Sequence, residues 1–445
     1  MCFACGGAGC GACATASAPG EGAAATVVTV AASGGSDIDG LLSGLKWNGT
    51  VSCGFPDSAS DYSASYGYGE PLVTGFAQIS AAQQQTVHTI MGQVAGYTNL
   101  TIQFAGTNDA DIKLAQSSEA NPTAYAYYPS VNEGGDVWFA TNYDCRSPKL
   151  GGYEYLTHIH ELGHALGLKH SHQTGGVAGV AVPAAHDGLE YTVMSYRSYI
   201  GGPATGYTNE AYGYPTTFMM NDIRALQEMH SADFTTQSGD TVYAWNASTG
   251  EFSIDGTGQG RPGGPNAGAA VNVVLMTVWD GGGRDVFDFS NYTTGVRVDL
   301  NPGSYSIASS AQLAYLGAGH YAHGLLGAVR RASVSVSHRD PSRGYDEPET
   351  LPSAITSICP TCADGVQPAN WALPADTRGS PRSARPVRCA AWGYGWRREH
   401  QAQGLSRPCL TAQESDARHD NYIVTRTLAI LSPVLPLVLL LGTAY

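Results

Sequence analysis

Residues 158–170 contain the pattern His-Glu-x-x-His-x-x-Gly-x-x-His, which constrains this chain more than any other feature. The spacing of four puts His160 and His164 on one face of a helix, where both rings can bind a single metal ion. Gly167 is a residue at which that helix can end, because glycine tolerates left-handed backbone. The chain can then turn back and offer His170 as a third ligand.

Three protein ligands with an open fourth position are typical of a catalytic zinc ion rather than a structural one. Glu161 follows the first ligand directly, so its carboxylate can take a proton from the attacking water. We therefore predict a hydrolytic site with one zinc ion and Glu161 as the general base. The alternative is an amphipathic helix whose histidines are ordinary polar or core residues. His158 and His172 do not fit the register, so we expect them to lie behind the ligands or to face solvent.

A second motif, Met194-Ser195-Tyr196, follows the third histidine. With this motif the chain resembles the metzincin metalloproteases, and within them the serralysin family, whose zinc helix is followed by a tight turn carrying a methionine. The resemblance implies that Met194 forms an apolar surface beneath the zinc ligands. It also implies that Tyr196 is a removable metal ligand that can donate a hydrogen bond to the oxyanion once displaced. For these three letters alone, a tyrosine-rich loop is the alternative, since the chain has 25 tyrosines.

The resemblance covers residues from about 36 to about 325. The segments that carry it outside the two motifs are residues 37–47, 55–62, 134–139, 221–227 and 239–243. One departure is Ser171-His172, which follows the third histidine where the family often has proline. The family's array of Gly-Gly-x-Gly-x-Asp repeats is missing, and one such unit cannot bury its own face.

Local patterns predict an α+β catalytic domain over residues 36–238. A capping box at Ser80 and Gln83 begins a helix with an apolar face. Alternation of Leu100, Ile102 and Phe104 predicts a half-buried strand. Further strands are expected at residues 112–114 and 137–139, the zinc helix at about 155–168, and a last helix at about 221–230.

Residues 239–326 read as a partial β-rich, glycine-rich domain, because short Val-, Thr- and Tyr-rich segments alternate with glycine clusters. Within it, Asp280 and Asp285 are separated by glycines, including Gly282, so carboxylates and backbone carbonyls can converge on a hard cation. The segment resembles the first calcium-binding unit of a serralysin carboxy-terminal domain. A glycine turn between two strands is the alternative. We predict a structural calcium ion here, beside the catalytic zinc.

The two ends of the chain differ from this body. Residues 1–35 form a low-complexity Cys/Ala/Gly-rich segment or propeptide. Residues 327–445 hold 13 of the 19 arginines and no lysine, with a net charge of +3 against −17 for the rest. We expect no packed core in this Arg/Pro/Ser-rich tail, and our hypothesis is that the reading frame shifted near its start. The apolar stretch at 428–445 would then be out-of-frame leucine codons rather than a tail anchor.

The remaining sequence features concern cysteines, targeting and partners. Cys53 and Cys145 could form a disulfide, and four cysteines crowd residues 2–13 at spacing that disfavours a zinc site. No ordinary signal peptide is visible, whereas the resemblance implies export by a non-classical bacterial route. The acidic body argues against nucleic-acid binding.

These observations together predict a secreted, monomeric zinc endopeptidase acting on proteins or peptides, with no membrane partner. Two alternatives remain open. One is an inactive or misfolded product of a truncated or frame-shifted gene, and the other is a zinc hydrolase of a non-peptide substrate.

Overall fold

The computed structural model describes residues 25–130, 133–268 and 271–328, together with the backbone of residues 333–338. All of them belong to one structural unit. The cysteines of residues 2–13 and the apolar stretch at 428–445 lie outside the described residues, as does most of the arginine-rich tail.

The described residues contain four α-helices: α1 (Ser36–Asp39), α2 (Ala81–Tyr97), α3 (Tyr153–Ala165) and α4 (Met220–His230). Helix α2 begins at the predicted capping box. Its Ser80 hydroxyl accepts from the Gln83 N–H at 3.2 Å, and the Gln83 side chain accepts from the Ser80 N–H at 3.0 Å. This reciprocal pair satisfies two amide groups that the first helical turn would otherwise leave without partners. The helices predicted at the zinc motif and after the second motif are confirmed as α3 and α4.

The first half of the described chain is built on a six-stranded sheet. Strands β1 (Thr26–Thr29) and β2 (Leu45–Asn48) form a separate antiparallel pair before it. The sheet strands are β3 (Val51–Gly54), β4 (Ala77–Gln78), β5 (Ile102–Gly106), β6 (Ile112–Gln116), β7 (Ala124–Ala126) and β8 (Val137–Phe139). Their order is β5-β3-β6-β8-β7, with β4 paired to β6. Strand β7 runs antiparallel to β8 at the edge of the sheet.

The alternation predicted for β5 is only partly correct. Ile102 is half-buried, but Phe104 is 40% exposed and its ring lies 3.9 Å from that of His88. β5 is an edge strand, and its register with β3 shifts where Gly54 pairs with Gly106. An irregular edge strand has no covering layer to bury alternate side chains, so the two-residue period is not kept.

Helices α2, α3 and α4 pack around one hydrophobic core with the buried side of the sheet. Fully buried members of it are Ile90, Met91, Leu114, Ile159 and Leu226. Helix α3 contacts α2 on one side and strands β7 and β8 on the other. The zinc motif is therefore held between a helix and the sheet edge rather than on a surface loop.

Residues after α4 are β-rich, as predicted. The strands are β9 (Val242–Trp245), β10 (Phe252–Ile254), β11 (Thr257–Gly258), β12 (Met276–Val278), β13 (Arg284–Phe289), β14 (Tyr305–Ser306), β15 (Tyr315–Gly317), β16 (His320–Tyr321), β17 (Leu326–Ala328) and β18 (Ser333–His338). They form a five-stranded sheet, β11-β10-β9-β13-β18, a three-stranded sheet, β12-β17-β14, and the pair β15-β16. Aromatic residues, including Trp245 and Phe289, form a second hydrophobic core there.

Strand β18 is a feature that the sequence analysis does not anticipate. It lies inside the arginine-rich tail, yet its backbone pairs in parallel with the whole of β13, from Arg284 to Phe289. The alternating residues Ser-Val-Ser-Val-Ser are typical of a strand. The Arg-, Pro- and Ser-rich composition around them leads us to expect no packed core there. Ordered backbone therefore continues beyond residue 327 for at least these six residues.

The two halves touch through both side-chain and backbone contacts. The buried Glu190 carboxylate accepts from His323 Nδ1 at 2.9 Å, and Thr216 donates its N–H to the Leu275 carbonyl at 3.0 Å. Cys53 and Cys145 are both buried free thiols, so the disulfide considered for them is not formed. Among the described residues, no helix combines the length and apolar character needed to cross a bilayer.

Candidate active site

Helix α3 carries the first two histidines and ends at Ala165, three residues earlier than predicted. Gly167 has φ of 109°, a left-handed conformation that suits glycine. The Gly167 N–H then donates to the His164 carbonyl at 2.9 Å, and the Leu168 N–H donates to the Gly163 carbonyl at 2.9 Å. These two bonds close the helix end and turn the chain back toward its own ligand face.

The turn brings the three predicted histidines together. One ring nitrogen from each of His160, His164 and His170 lies within 4.8 Å of the others. His164 Nε2 and His170 Nε2 are 3.0 Å apart. Within the part of the chain that the structure describes, this is the one group of three or more such side chains that could hold a metal ion.

The hydrogen bonds of the Nδ1 atoms show which ring nitrogens face the middle of the histidine cluster. His160 Nδ1 lies 2.7 Å from the Val193 carbonyl, and His164 Nδ1 lies 2.8 Å from the Leu168 carbonyl. A carbonyl accepts only, so each Nδ1 carries the proton and each Nε2 keeps its lone pair. Lone pairs that converge in this way repel one another unless a cation lies between them. The arrangement therefore fits a divalent metal ion.

Burial keeps these imidazoles neutral. Desolvation lowers the pKa of His160 to about 4 and that of His164 to about 3. The pKa of His170 is also well below its usual value, mainly through burial and through its two imidazole neighbours. Neutral imidazole is the form that binds metal, so no proton has to be removed at neutral pH.

Glu161 is buried beside the first histidine, with only 7% of its surface exposed. Burial raises the pKa of its carboxyl to about 8, because an ionised carboxylate loses its hydration there. The ring of Tyr128, just after β7, lies edge-on to His164 with centroids 5.5 Å apart. A carboxyl group in such surroundings is suited to exchanging a proton near neutral pH.

Met194 is fully buried and packs against the ligand helix. Its Sδ would come within 2.6 Å of a Cβ placed on Gly163. Phe218 lies 3.5 Å from the same point. Position 163, between the two helical ligands, therefore has room for glycine alone, and the sulfur lies close against the helix backbone.

Tyr196 reaches the same centre from the second motif. Its hydroxyl oxygen is 2.9 Å from His170 Nε2. Its ring lies 4.5 Å from that of His170 and 5.9 Å from that of His160, between centroids. The structure thus brings together all the residues that the sequence analysis assigns to the zinc site.

Sequence reasoning missed Asp222, a residue of α4 that supports His160. Its buried carboxylate accepts from the Val193 N–H at 2.8 Å, the Met219 N–H at 2.9 Å and the Thr192 hydroxyl at 2.5 Å. Val193 is the residue whose carbonyl faces His160, so α4 holds the imidazole through a single residue. The signal in the sequence was an acidic residue in the first helical turn, which reads only as a helix cap.

Asp187 was also missed. The Asp187 carboxylate accepts from the hydroxyls of Ser171 and Ser195, both at 2.6 Å, and from Arg197 Nε at 3.0 Å. The Ser171 N–H donates to the Met194 carbonyl at 3.2 Å. Proline could not donate this bond, which gives a physical reason for serine where the resemblance leads one to expect proline.

The two spare histidines differ in their surroundings. His158 is fully buried, with Nδ1 2.6 Å from the Glu154 carbonyl and its ring stacked 4.4 Å from Phe139. It therefore does not face solvent. His172 is half-buried and stacks beside His170 and Tyr196.

The predicted calcium residues lie where the chain enters β13. Asp280 accepts from the Tyr243 hydroxyl at 2.6 Å and from the Gly282 N–H at 2.8 Å. Asp285 is 1% exposed and accepts from the Thr241 N–H at 3.2 Å. Burial and the neighbouring Asp280 carboxylate raise the pKa of Asp285 to about 7. Two buried carboxylates side by side favour a cation, although they do not form a three-residue ligand group within the described ranges.

Comparison with known proteins adds independent information. Residues 73–186 match the family model described as Matrixin, and residues 232–311 match the one described as Peptidase M10 serralysin C terminal. The three histidines and Glu161 lie in the first match and the calcium segment in the second. Met194 and Tyr196 lie between the two.

Curated relatives agree with these matches. Serralysin from Proteus mirabilis is 35% identical over 236 residues, 51% of this chain and 44% of its own length. Serralysin A from Dickeya chrysanthemi is 33% identical over 246 residues, which are 52% of this chain and 48% of its own length. Metallopeptidase AprA from Pseudomonas marginalis is 29% identical over 248 residues, which are 53% of this chain and 49% of its own length. The chain spans about half the length of the curated relatives it matches.

The histidine cluster and the β-rich region thus coincide with matches to both parts of one protein family. In the regions that match, this chain is similar to the serralysin family of metzincin metalloproteases.

Proposed function

We propose that this chain is a zinc-dependent endopeptidase that hydrolyses peptide bonds in proteins or peptides. One observation carries the proposal: three neutral imidazoles, two buried and one half-buried, converge on one point beside a buried glutamate. Similarity to the family supports the class of reaction, and the geometry supports the assignment of residues.

The proposed metal ligands are His160, His164 and His170, with Tyr196 as a removable fourth. The carbonyls facing two of the Nδ1 atoms support zinc, because ligand imidazoles commonly donate their second N–H in this way. Zinc, when bound, would act as a Lewis acid and lower the pKa of a water molecule to near 7.

Glu161 is the proposed general base and acid. It takes a proton from the attacking water and later delivers it to the departing amine. Tyr196 donates a hydrogen bond from its hydroxyl to the developing oxyanion. Met194 has a structural part: it keeps the helix backbone and the ligand rings in one position.

The sheet edge supports a peptide substrate. Strand β7 is the edge strand beside α3, with Tyr128 following it near His164. An extended peptide can pair with such an edge through backbone hydrogen bonds, which places successive side chains on alternate sides. Such pairing would align a scissile bond along the helix that carries Glu161.

We further propose one structural calcium ion held by Asp280 and Asp285, with the Gly282 turn allowing the chain to fold around it. The mutual repulsion of the two carboxylates supports this assignment. The protein is proposed to act outside the cell as a monomer, by family resemblance. Its acidic sequence, with a net charge of −14, disfavours nucleic-acid partners.

The test compares the full-length chain with Glu161→Gln. The variant should keep one zinc ion per molecule and lose activity on casein by about 10²–10⁴-fold, the usual share of general acid–base catalysis. Glu154→Gln, on the same helix but hydrogen-bonded to Tyr143, is the matched control and should cleave normally.

Three results would count against the proposal. Near-normal cleavage by Glu161→Gln would remove that residue from its role. Casein cleavage that resists phenanthroline would remove the metal. Stoichiometric zinc with no cleavage of casein or peptides would favour the alternatives, a non-peptide hydrolase or an inactive product.

A further inference from the structure

His172 has no part in the proposed reaction, yet it lies in contact with two groups that do. Its ring is stacked on that of His170, with centroids 5.5 Å apart and planes inclined by 11°. It also lies 5.1 Å from the ring of Tyr196, at 44°. Because His170 and Tyr196 are themselves 4.5 Å apart, the three rings form one contiguous cluster.

The backbone on both sides of His172 is held in place. Ser171 donates its N–H to the Met194 carbonyl, and its own carbonyl accepts from the Val182 N–H at 2.8 Å. Gln173 donates its N–H to the His170 carbonyl at 3.2 Å and accepts from Lys169 Nζ at 2.6 Å. With both neighbours fixed, the imidazole is directed at the tyrosine rather than left free on a loop.

The geometry does not make His172 a fourth imidazole ligand. It is not part of the group whose ring nitrogens lie within 4.8 Å of one another. Its ring is nearly parallel to that of His170 and tilted to that of Tyr196. Such contacts between aromatic rings add an attraction beyond the buried area.

We propose that His172 is a positioning residue that holds the Tyr196 ring at its place beside His170. This rests on the proposed function, in which the tyrosine leaves that place when substrate binds. The contact is made in the observed position, where the Tyr196 hydroxyl is 2.9 Å from His170 Nε2. Losing the contact therefore weakens this position relative to any displaced one.

The test uses the full chain and two variants that separate ring stacking from imidazole chemistry. His172→Ala removes the ring, and His172→Phe keeps an aromatic face without nitrogen atoms. With Cu²⁺ in place of zinc, a ligating tyrosine gives a phenolate-to-copper charge-transfer absorption. We expect His172→Ala to lower the ratio of bound to displaced tyrosine about two- to twelvefold, the range for an aromatic pair, and His172→Phe to restore it.

A second readout uses a peptide hydroxamate inhibitor on the zinc protein. Because the inhibitor must displace Tyr196, His172→Ala should tighten its binding by the same factor. The change should vanish when Tyr196→Ala is already present, since no ring is then left at position 196 for His172 to contact.

The outcomes separate the two proposals. If the variants bind zinc and cleave peptide normally but show no change in the absorption or in inhibitor binding, the inference on His172 fails and the proposed function stands. An effect that persists in the Tyr196→Ala background, or that His172→Phe does not restore, also overturns it. If the unaltered chain holds no stoichiometric metal, both proposals fail.

Discussion

The half that carries the histidine cluster and the β-rich half both bury ionisable side chains, but they compensate them in different ways. In the first half, His160 and His164 face backbone carbonyls, and the Asp222 carboxylate accepts three hydrogen bonds. In the second half, Asp280 and Asp285 lie beside each other, and their repulsion helps to raise the pKa of Asp285.

The two halves differ in whether their buried polar groups need a bound cation or a proton. A buried group paired with backbone is satisfied by the fold itself. Two buried carboxylates in contact are not, and they require a cation or a proton. We infer that the ligand geometry of α3 is set by folding alone, whereas the stability of the β-rich half depends on calcium. The following predictions test that comparison.

The largest expected effect is at Tyr196. Tyr196→Phe should lower kcat by roughly 10²-fold, because one hydrogen-bond donor to the oxyanion is removed. Zinc content should stay at one per molecule, since the three histidines remain in place. Peptide-hydrolysis kinetics with metal analysis measure both. Tyr199→Phe is the control: that ring stacks on His320 instead. Loss of metal with unchanged activity would contradict the assignment.

Calcium should stabilise the β-rich half. A calcium concentration a hundredfold above the dissociation constant should add about 2.7 kcal/mol to the free energy of unfolding, measured by urea denaturation. Asp285→Asn should abolish this response. Asp288→Asn, on the same strand, should keep it. An equal calcium response in all three proteins would place the ion elsewhere.

The first half should instead show a calcium-independent effect of pH. Burial raises the pKa of Asp136 to about 8, although it accepts from the Lys113 N–H and the Tyr66 hydroxyl, both at 2.6 Å. Since the folded-state pKa is above the unfolded value, the folded chain binds the extra proton. Stability from this group is therefore full below about pH 4 and is lost as the pH rises to about 8.

Asp136→Asn should flatten that decline by on the order of 2 kcal/mol. Urea denaturation between pH 4 and 9, with and without calcium, measures it. Asp57→Asn is the control, because that side chain is exposed and is not among the groups that shift the Asp136 pKa. A decline of the same size in Asp136→Asn and in the unaltered chain would contradict the assignment.

The smallest effect is expected at the end of α3. Gly167→Ala should lower the free energy of unfolding by about 1–2 kcal/mol, because left-handed backbone is unfavourable for alanine. The added Cβ would also come within 2.3 Å of the Leu45 carbonyl oxygen. Gly92→Ala, inside α2 with open space around it, should be neutral or stabilising. Equal effects of the two changes would show that the backbone at 167 is not strained.

Sequence reasoning worked best where function depends on residues close together in the chain. The helical spacing of His160 and His164, the stop at Gly167 and the capping box before α2 all depend on one or two turns of backbone. It failed at Phe104 and at β18, because whether a strand has a covered face or a partner depends on segments far away in the chain. The supports at Asp187 and Asp222 were missed for the same reason.

The sequence by itself therefore determined the chemistry of the centre: three imidazoles and a glutamate at spacing that suits one metal ion. Only the tertiary structure decided how that centre is supported. It packs Met194 against Gly163, brings Asp222 to the residue whose carbonyl faces His160, and places the ring of His172 beside that of Tyr196. The physical reason is the separation along the chain over which each kind of interaction acts. Helical periodicity acts over a few residues, whereas burial and hydrogen bonding join any segments that the folded chain brings together.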